Sequence, residues 1–399
     1  LGNSQPNPAR SGRSSPSHPR AGGGFSLLPA LGGGARTAPF SCLACAPCAI
    51  VSIMEVKVIP GGTITSPQGF LAGSVYAGIK TRGDDPLDLG ILCSEVPCIA
   101  AGVFTANKVK AAPVLLSQRH LTLSRNRVQA IVVNSGCANA CTGKQGMAEA
   151  EEMAALAAGS LGLMPHEVLV ASTGVIGKHL PMKQVRDGME GIALSSEGGH
   201  TLAKAITTTD TFPKEIAVQV KLGTKRSEIT IGGIAKGAGM IHPDMATLLC
   251  FLATDAAVSP TFLRKALQEA VAASFNMITV DGDTSPNDSV LILANGLAGN
   301  RVITSGSPAA EEFEKALQEV CLFLAKSIAR DGEGATKLIQ ITVEGALTLA
   351  QARSGARVVA GSSLVKSAVH GSDPNWGRIV AALGRSGVDM EENRIDLYL

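Results

Sequence analysis

The chain is 399 residues long, 45% hydrophobic and 17% charged, which is enough apolar mass for packed cores in two domains. A formal net charge of +2 and an aromatic content of 3% give no basis for nucleic-acid binding. Nine scattered cysteines do not form a disulfide framework and point to a reducing compartment, while 45 glycines suit closely packed α/β layers with many tight turns.

Residues 1–53 contain Arg10, Arg13, Arg20 and Arg36, abundant Ser, Gly, Pro and Ala, and no acidic residue before Glu55. This is the composition of an organellar transit peptide. The alternative is a disordered leader with Met54 as the true start. The apolar run 40–54 is too short to span a bilayer, and no membrane association is expected. Cys42, Cys45 and Cys48 have zinc-like spacing, but no second ligand pair follows nearby, so no metal site is expected.

From Glu55 the pattern is globular. The apolar runs 98–104 and 128–133 predict central strands; 146–163 carries alanine, glutamate and leucine at helical spacing; 168–171 is again a strand. Pro181 opens a helix to about 194, and strands follow over 215–221 and 229–234. After the apolar run 248–253, Ser259-Pro260 caps a helix to 273, 290–294 is a strand, and 308–329 a long amphipathic helix. A strand over 337–343 and helical segments over 347–370 and 375–383 complete the scheme. The expectation is an α/β fold of two layered domains, 54–259 and 260–399.

The chemistry centres on Lys236-Gly237-Ala238-Gly239-Met240-Ile241-His242-Pro243-Asp244-Met245-Ala246-Thr247 and the apolar run after it. Two glycines permit tight backbone, Pro243 breaks any helix, and Thr247 stands where an irregular loop enters a strand. By residue type Thr247 is a turn residue. A second reading needs strained backbone: its Oγ attacks the Ala246 carbonyl, the acyl group shifts from nitrogen to oxygen, and water cuts the chain. The freed α-amine, with an unperturbed pKa of about 7.7–8.0, is then the general base for the same hydroxyl.

Thr173-Gly174 ends a strand in a glycine-bracketed turn, where a hydroxyl and a backbone N–H can point the same way; a plain β-turn is the alternative. Lys236 can hold a carboxylate and Glu333 an ammonium, a pair that suits an α-amino acid with a charged side chain; each alone is more often a solvated surface charge. His242 reads as structural. Asp281, Asp283, Asn287 and Asp288 are spaced like a calcium loop, but Pro286 replaces its glycine and Ile292 its glutamate, so a turn is expected.

The central stretch resembles the self-cleavage segment of the ornithine acetyltransferase family, the bifunctional glutamate N-acetyltransferases of arginine biosynthesis. Pro60-Gly61-Gly62, Ala101-Gly102-Val103-Phe104-Thr105-Ala106-Asn107, Asn134-Ser135-Gly136-Cys137-Ala138-Asn139-Ala140, Ser172-Thr173-Gly174-Val175-Ile176-Gly177, Thr208-Thr209-Asp210-Thr211, Asp331-Gly332-Glu333-Gly334-Ala335-Thr336-Lys337 and Asp373-Pro374-Asn375-Trp376-Gly377-Arg378 agree in the family's order. The resemblance implies a cut between Ala246 and Thr247 into α and β chains, Thr247 as nucleophile, and Thr173 and Gly174 as the oxyanion hole. It also implies Thr208, Thr209, Lys236, Thr247 and Glu333 as substrate contacts. The implied reaction takes acetyl from N2-acetylornithine to L-glutamate through an acetyl-threonine, with acetyl-CoA as a further donor in bifunctional members and no cofactor. A heterotetramer of two α and two β chains in the chloroplast is the implied state, with the mitochondrion as alternative compartment. Family members continue past Leu399 with an Asn and a Thr or Ser that complete the pocket, so a chain ending there is expected to cleave but to transfer poorly. An amidohydrolase or aminopeptidase sharing Thr247, or an uncleaved inactive subunit, are the alternative functions.

Overall fold

The computed structural model describes residues 56–80, 87–223, 227–242 and 248–399. Ala246 and Thr247, like the leader with its three cysteines, lie outside the described residues. The elements run β1 (Val56–Val58), β2 (Phe70–Val75), β3 (Leu89–Phe104), α1 (Ala112–Leu123), β4 (Arg127–Cys137), α2 (Gly143–Leu161), β5 (Val168–Val175), α3 (Met182–Glu190) and α4 (Gly199–Ala205). There follow β6 (Lys214–Leu222), β7 (Ser227–Lys236), β8 (Leu249–Thr254), α5 (Pro260–Ala273), β9 (Ser289–Ala294), α6 (Ala310–Arg330), α7 (Leu349–Ala360), α8 (Ser363–His370) and α9 (Trp376–Gly384).

The described strands hydrogen-bond in the order β1-β6-β7-β8-β9-β3-β4-β5, with β2 added on β3. The long β3 makes this possible. Its first part pairs with β4, from Leu89 opposite Asn134 to Ile99 opposite Arg127, and its second part pairs with β9, from Ile99 opposite Ala294 to Phe104 opposite Ser289. Between Cys93 and Cys98 the register slips, and Pro97, which has no N–H to give to a ladder, falls in that irregular stretch.

The strands are apolar on both faces because both are covered. In β4, Ile131 and Val133 point into a core shared with Leu249, Phe251 and Ala253 of β8, while Ala130 and Val132 pack on Met153, Ala154 and Ala157 of α2. In β8, Cys250 and Leu252 face the opposite way, against Phe262 and Leu263 of α5 and Phe313 and Leu324 of α6. Two halves of the sheet therefore lie face to face, with α1, α2 and α3 outside one half and α5 and α6 outside the other. The layering is helix, sheet, sheet, helix.

Several expected boundaries move. The division at Pro260 does not separate two sheets, because β8 before it and β9 after it pair in parallel. Pro260 opens α5 as expected, but the Ser259 side chain makes no capping bond. The helix from Pro181 stops at Glu190, and the stretch after α6 divides at Gly361-Ser362, where the Ser362 hydroxyl caps Val365 N–H and starts α8. Residues 337–343 alternate as a strand would, yet they pair with no described strand. Lys337 is held instead by the end of α8, its Nζ donating to Val369 O at 2.6 Å and to Ser372 Oγ at 2.5 Å.

Phe251 is fully buried between the two half-sheets. Phe251→Ala is expected to lower unfolding stability by about 3–5 kcal/mol, the cost of a large cavity in a core that cannot collapse. Denaturant unfolding measures this, and a loss under about 1 kcal/mol would contradict the sheet-to-sheet core.

Candidate active site

Thr173 and Gly174 close β5 beside the end of β4, with Thr173 opposite Ser135 and Gly174 opposite Gly136. Gly174 has φ +131, and a Cβ there would meet the Gly136 carbonyl carbon at 2.3 Å and Cys137 N at 2.6 Å. Only glycine allows this approach of two backbones. The Thr173 side chain is buried beside it, while Gly174 itself is exposed.

The entrance to β8 is tied to this corner through two adjacent side chains. Asn287 uses both amide hydrogens, donating to Ala138 O at 2.6 Å and to Ser172 O at 2.9 Å. Asp288 Oδ1 accepts the Leu248 N–H at 3.1 Å, and Ser289 N–H donates back to Leu248 O at 3.1 Å. Leu248 directly follows Thr247 in sequence, so its anchorage leads in two steps to Ser172 and the Thr173-Gly174 turn. Burial pushes the Asp288 carboxyl well above the usual range, against the opposing effects of the Leu248 N–H and the Lys236 charge. Its Oδ2 is buried and has no hydrogen-bond partner among the described residues.

Lys236 ends β7 with its side chain buried, and the structure places its Nζ 4.0 Å from Asp210 Oδ2. Burial lowers its affinity for the proton, while Asp210, Asp288 and Glu333 favour the ammonium and Lys214 opposes it. Gly237 N–H donates to Asp210 Oδ1 at 2.7 Å, and Glu333 N–H donates to Ala238 O at 2.8 Å. The Glu333 carboxylate lies on Gly239: Oε1 stands 2.7 Å from where a Cβ would be. Gly239 thus lets an acid approach the loop that leads from Lys236 toward Thr247. Glu333 also stands on the wall of a cleft of about 520 Å³, together with Lys366 and Val369 of α8.

Thr208 and Thr209 occupy the bend between α4 and β6, where the Thr208 N–H donates to Asp210 Oδ2 at 3.0 Å and Thr209 is exposed. Lys236, Glu333 and the Thr208 bend are therefore gathered around Asp210 and the glycine loop. His242 Nδ1 lies 3.3 Å from Thr279 Oγ1, a contact that fixes the loop. The acidic stretch spaced like a calcium loop caps backbone: Asp281 accepts from Met240 N–H and, at 2.9 Å, from Ile241 N–H. Lys214 was not singled out among the expected site residues. Its Nζ lies 2.7 Å from Asp210 Oδ1 and 2.6 Å from Asp331 Oδ2; the spacing of four from Asp210 is the available sequence signal, and nothing in the chain order indicates Asp331.

Burial alone pushes the Asp210 carboxyl up; the ammonium groups of Lys236 and Lys214 and the Gly237 N–H more than reverse this and hold it at about 2. Its folded pKa is depressed, so its stabilisation is complete above the unfolded value of about 3.9 and is lost as pH falls toward 2, a change of about 2 kcal/mol. The stability difference between wild type and Asp210→Asn is expected to shrink by that amount when unfolding is compared at pH 5 and pH 2. A difference independent of pH would contradict the charge assignment.

A family model described as the ArgJ family matches residues 71–399. The arginine biosynthesis bifunctional protein ArgJ of Dehalococcoides mccartyi is 57% identical over 345 residues, covering 86% of this chain and 84% of the relative. Its counterpart from Symbiobacterium thermophilum is 56% identical over 340 residues, 85% of this chain and 84% of the relative. A crystal structure of ornithine acetyltransferase complexed with ornithine, from Mycobacterium tuberculosis, is 40% identical and aligns with a TM-score of 0.44 over 49% of this chain and 100% of that one. With the family match spanning residues 71–399 and more than half of the aligned positions identical in these two relatives, the chain belongs to the ArgJ family.

Proposed function

We propose that the chain cleaves itself between Ala246 and Thr247 and then moves an acetyl group from N2-acetylornithine to L-glutamate. The observation that carries this reading is the placement of a buried ammonium, Lys236, at one end of the glycine loop and of a carboxylate, Glu333, against Gly239 of the same loop. Such a pair suits the carboxylate and amine of an amino acid. The relatives, named as bifunctional proteins of arginine biosynthesis, agree with it.

The Thr247 Oγ attacks the acetyl carbonyl of N2-acetylornithine while the Thr247 α-amine takes the hydroxyl proton. Thr173 and the Gly174 N–H serve the tetrahedral oxyanion, which collapses to expel ornithine as that proton passes to the leaving nitrogen. Glutamate, held by Lys236, Glu333 and the Thr208 and Thr209 bend, then presents its amine to the acetyl-threonine. A second tetrahedral intermediate breaks to N-acetylglutamate, and the Thr247 hydroxyl recovers its proton. Acetyl-CoA serves as an additional donor, and no metal or tightly held cofactor enters. The active form is a heterotetramer of two α and two β chains in the chloroplast, to which residues 1–53 direct it.

Thr247→Ala is expected to abolish cleavage and transfer together, because one hydroxyl is the attacking group in both. Intact mass after expression reads the first, and acetylglutamate formation the second; a cleaved Thr247→Ala chain would rule out self-processing. Acetate released from acetylornithine without need of glutamate would indicate a hydrolase, and an uncleaved, inactive wild-type chain would indicate a structural subunit.

Thr173→Ala removes one oxyanion donor and is expected to lower kcat by about a hundredfold or more, roughly 3 kcal/mol of barrier, with a smaller change in KM. Steady-state kinetics with both substrates test this, and an unchanged kcat would remove Thr173 from the oxyanion hole.

A further inference from the structure

Lys214 opens β6 with none of its side chain exposed, which an ammonium tolerates only where its surroundings replace water. Its Nζ lies 2.7 Å from Asp210 Oδ1 and 2.6 Å from Asp331 Oδ2, and it donates to Phe212 O at 3.3 Å. Both carboxylates work twice. Asp210 also accepts the Thr208 and Gly237 N–H groups and faces Lys236, while Asp331 accepts the Thr211 N–H at 3.0 Å and the Thr211 hydroxyl. Two residues past Asp331, Glu333 bonds the glycine loop through its own N–H.

One buried cation thus joins three segments that are remote in sequence: the bend with Thr208, the end of β7 with Lys236, and the turn after α6 with Glu333. We propose that Asp210, Lys214 and Asp331 are positioning residues for the amino-acid site, aiming the Lys236 ammonium at the substrate carboxylate and holding it in register with Thr208 and Glu333. This rests on the acetyl-transfer reading above.

The distances support the division of labour. Asp210 is held tightly by Lys214 at 2.7 Å and only loosely by Lys236 at 4.0 Å. Its Oδ1 serves Lys214 and Gly237, and its Oδ2 serves the Thr208 N–H and faces Lys236. The Lys236 ammonium is therefore favoured and oriented by a carboxylate whose close contact is already taken, and an incoming carboxylate does not have to break a tight ion pair. A mere structural staple would need only the Lys214 contacts. Among the described residues, the charged groups that face Lys236 are Asp210, Lys214, Asp288 and Glu333, and Asp210 contributes most to favouring the ammonium against burial.

The test is Asp210→Asn, which keeps the shape and an acceptor for Gly237 N–H but removes the charge. In protein labelled with 13Cε-lysine, with the Lys236 resonance assigned by comparison with Lys236→Arg, the Lys236 titration midpoint is expected to fall by about one pH unit or more. The KM for L-glutamate is expected to rise about tenfold or more, with kcat changed much less and the alkaline limb of kcat/KM moved to lower pH. An unmoved midpoint, or kcat and KM altered alike at every pH, would reduce the cluster to a structural staple. Asp210→Glu covers a folding failure: it is expected to keep the wild-type midpoint and raise KM, and a wild-type KM there would overturn the proposal. A wild type that transfers no acetyl group would refute the functional reading alone, since the Lys236 titration is read without turnover.

Discussion

A buried ammonium between two buried carboxylates is the constraint on which this site depends. Taking Lys214, Asp210 and Asp331 out of water carries a large desolvation cost, and only close contacts with satisfied remaining lone pairs offset it. The structure meets that condition by directing backbone N–H groups of Thr208, Thr211 and Gly237 onto the same carboxylates. The cluster can form in one arrangement of three chain segments and in no sliding variant of it. An apolar cluster at the same place would tolerate many.

The larger fold supplies the rigid ends that such a cluster needs. β6 and β7 are paired along their length, from Leu222 opposite Ser227 to Lys214 opposite Ala235, so Lys214 and Lys236 leave the sheet side by side. Helix α6 packs on those strands and ends at Asp331, which is delivered to Lys214 from outside the sheet. Ahead of β9, Asn287 and Asp288 perform a corresponding task toward the other half-sheet, joining the entrance of β8 to the end of β5. Face-to-face packing of the half-sheets brings these two local anchors near each other, so that the Asp288 carboxyl acts on the Lys236 ammonium.

Strands and helices that bury a continuous stripe were legible in the sequence, because their periodicity reflects which faces are covered. The runs 98–104, 128–133 and 290–294 appear in β3, β4 and β9, and the amphipathic run 308–329 in α6. Residues 337–343 show the limit of that logic: alternation specifies extended backbone, whereas a ladder also needs a partner edge, which no local pattern encodes. The same holds for Pro260, where composition suggests a seam but β8 and β9 pair across it. At the site, the glycines of Thr173-Gly174 and of the central loop announced close backbone approach. Lys214 remained unremarkable in sequence, because its meaning lies in Asp331, 117 residues away.

Holding Lys236 by a carboxylate at 4.0 Å, and not in a tight pair, has a further consequence for the chemistry. An ammonium already locked to a carboxylate would have to exchange one strong contact for another when substrate arrives, and little net attraction would remain. An ammonium with no counter-charge at this depth would give up its proton more readily, since burial acts on it in that direction. The intermediate arrangement favours the charged form against burial and, in the proposed role, leaves the closest contact for the ligand. In the proposed role, Lys214 takes the close contact of Asp210, so the field at Lys236 would be set before substrate binds and acyl transfer would need no reorganisation of charged side chains.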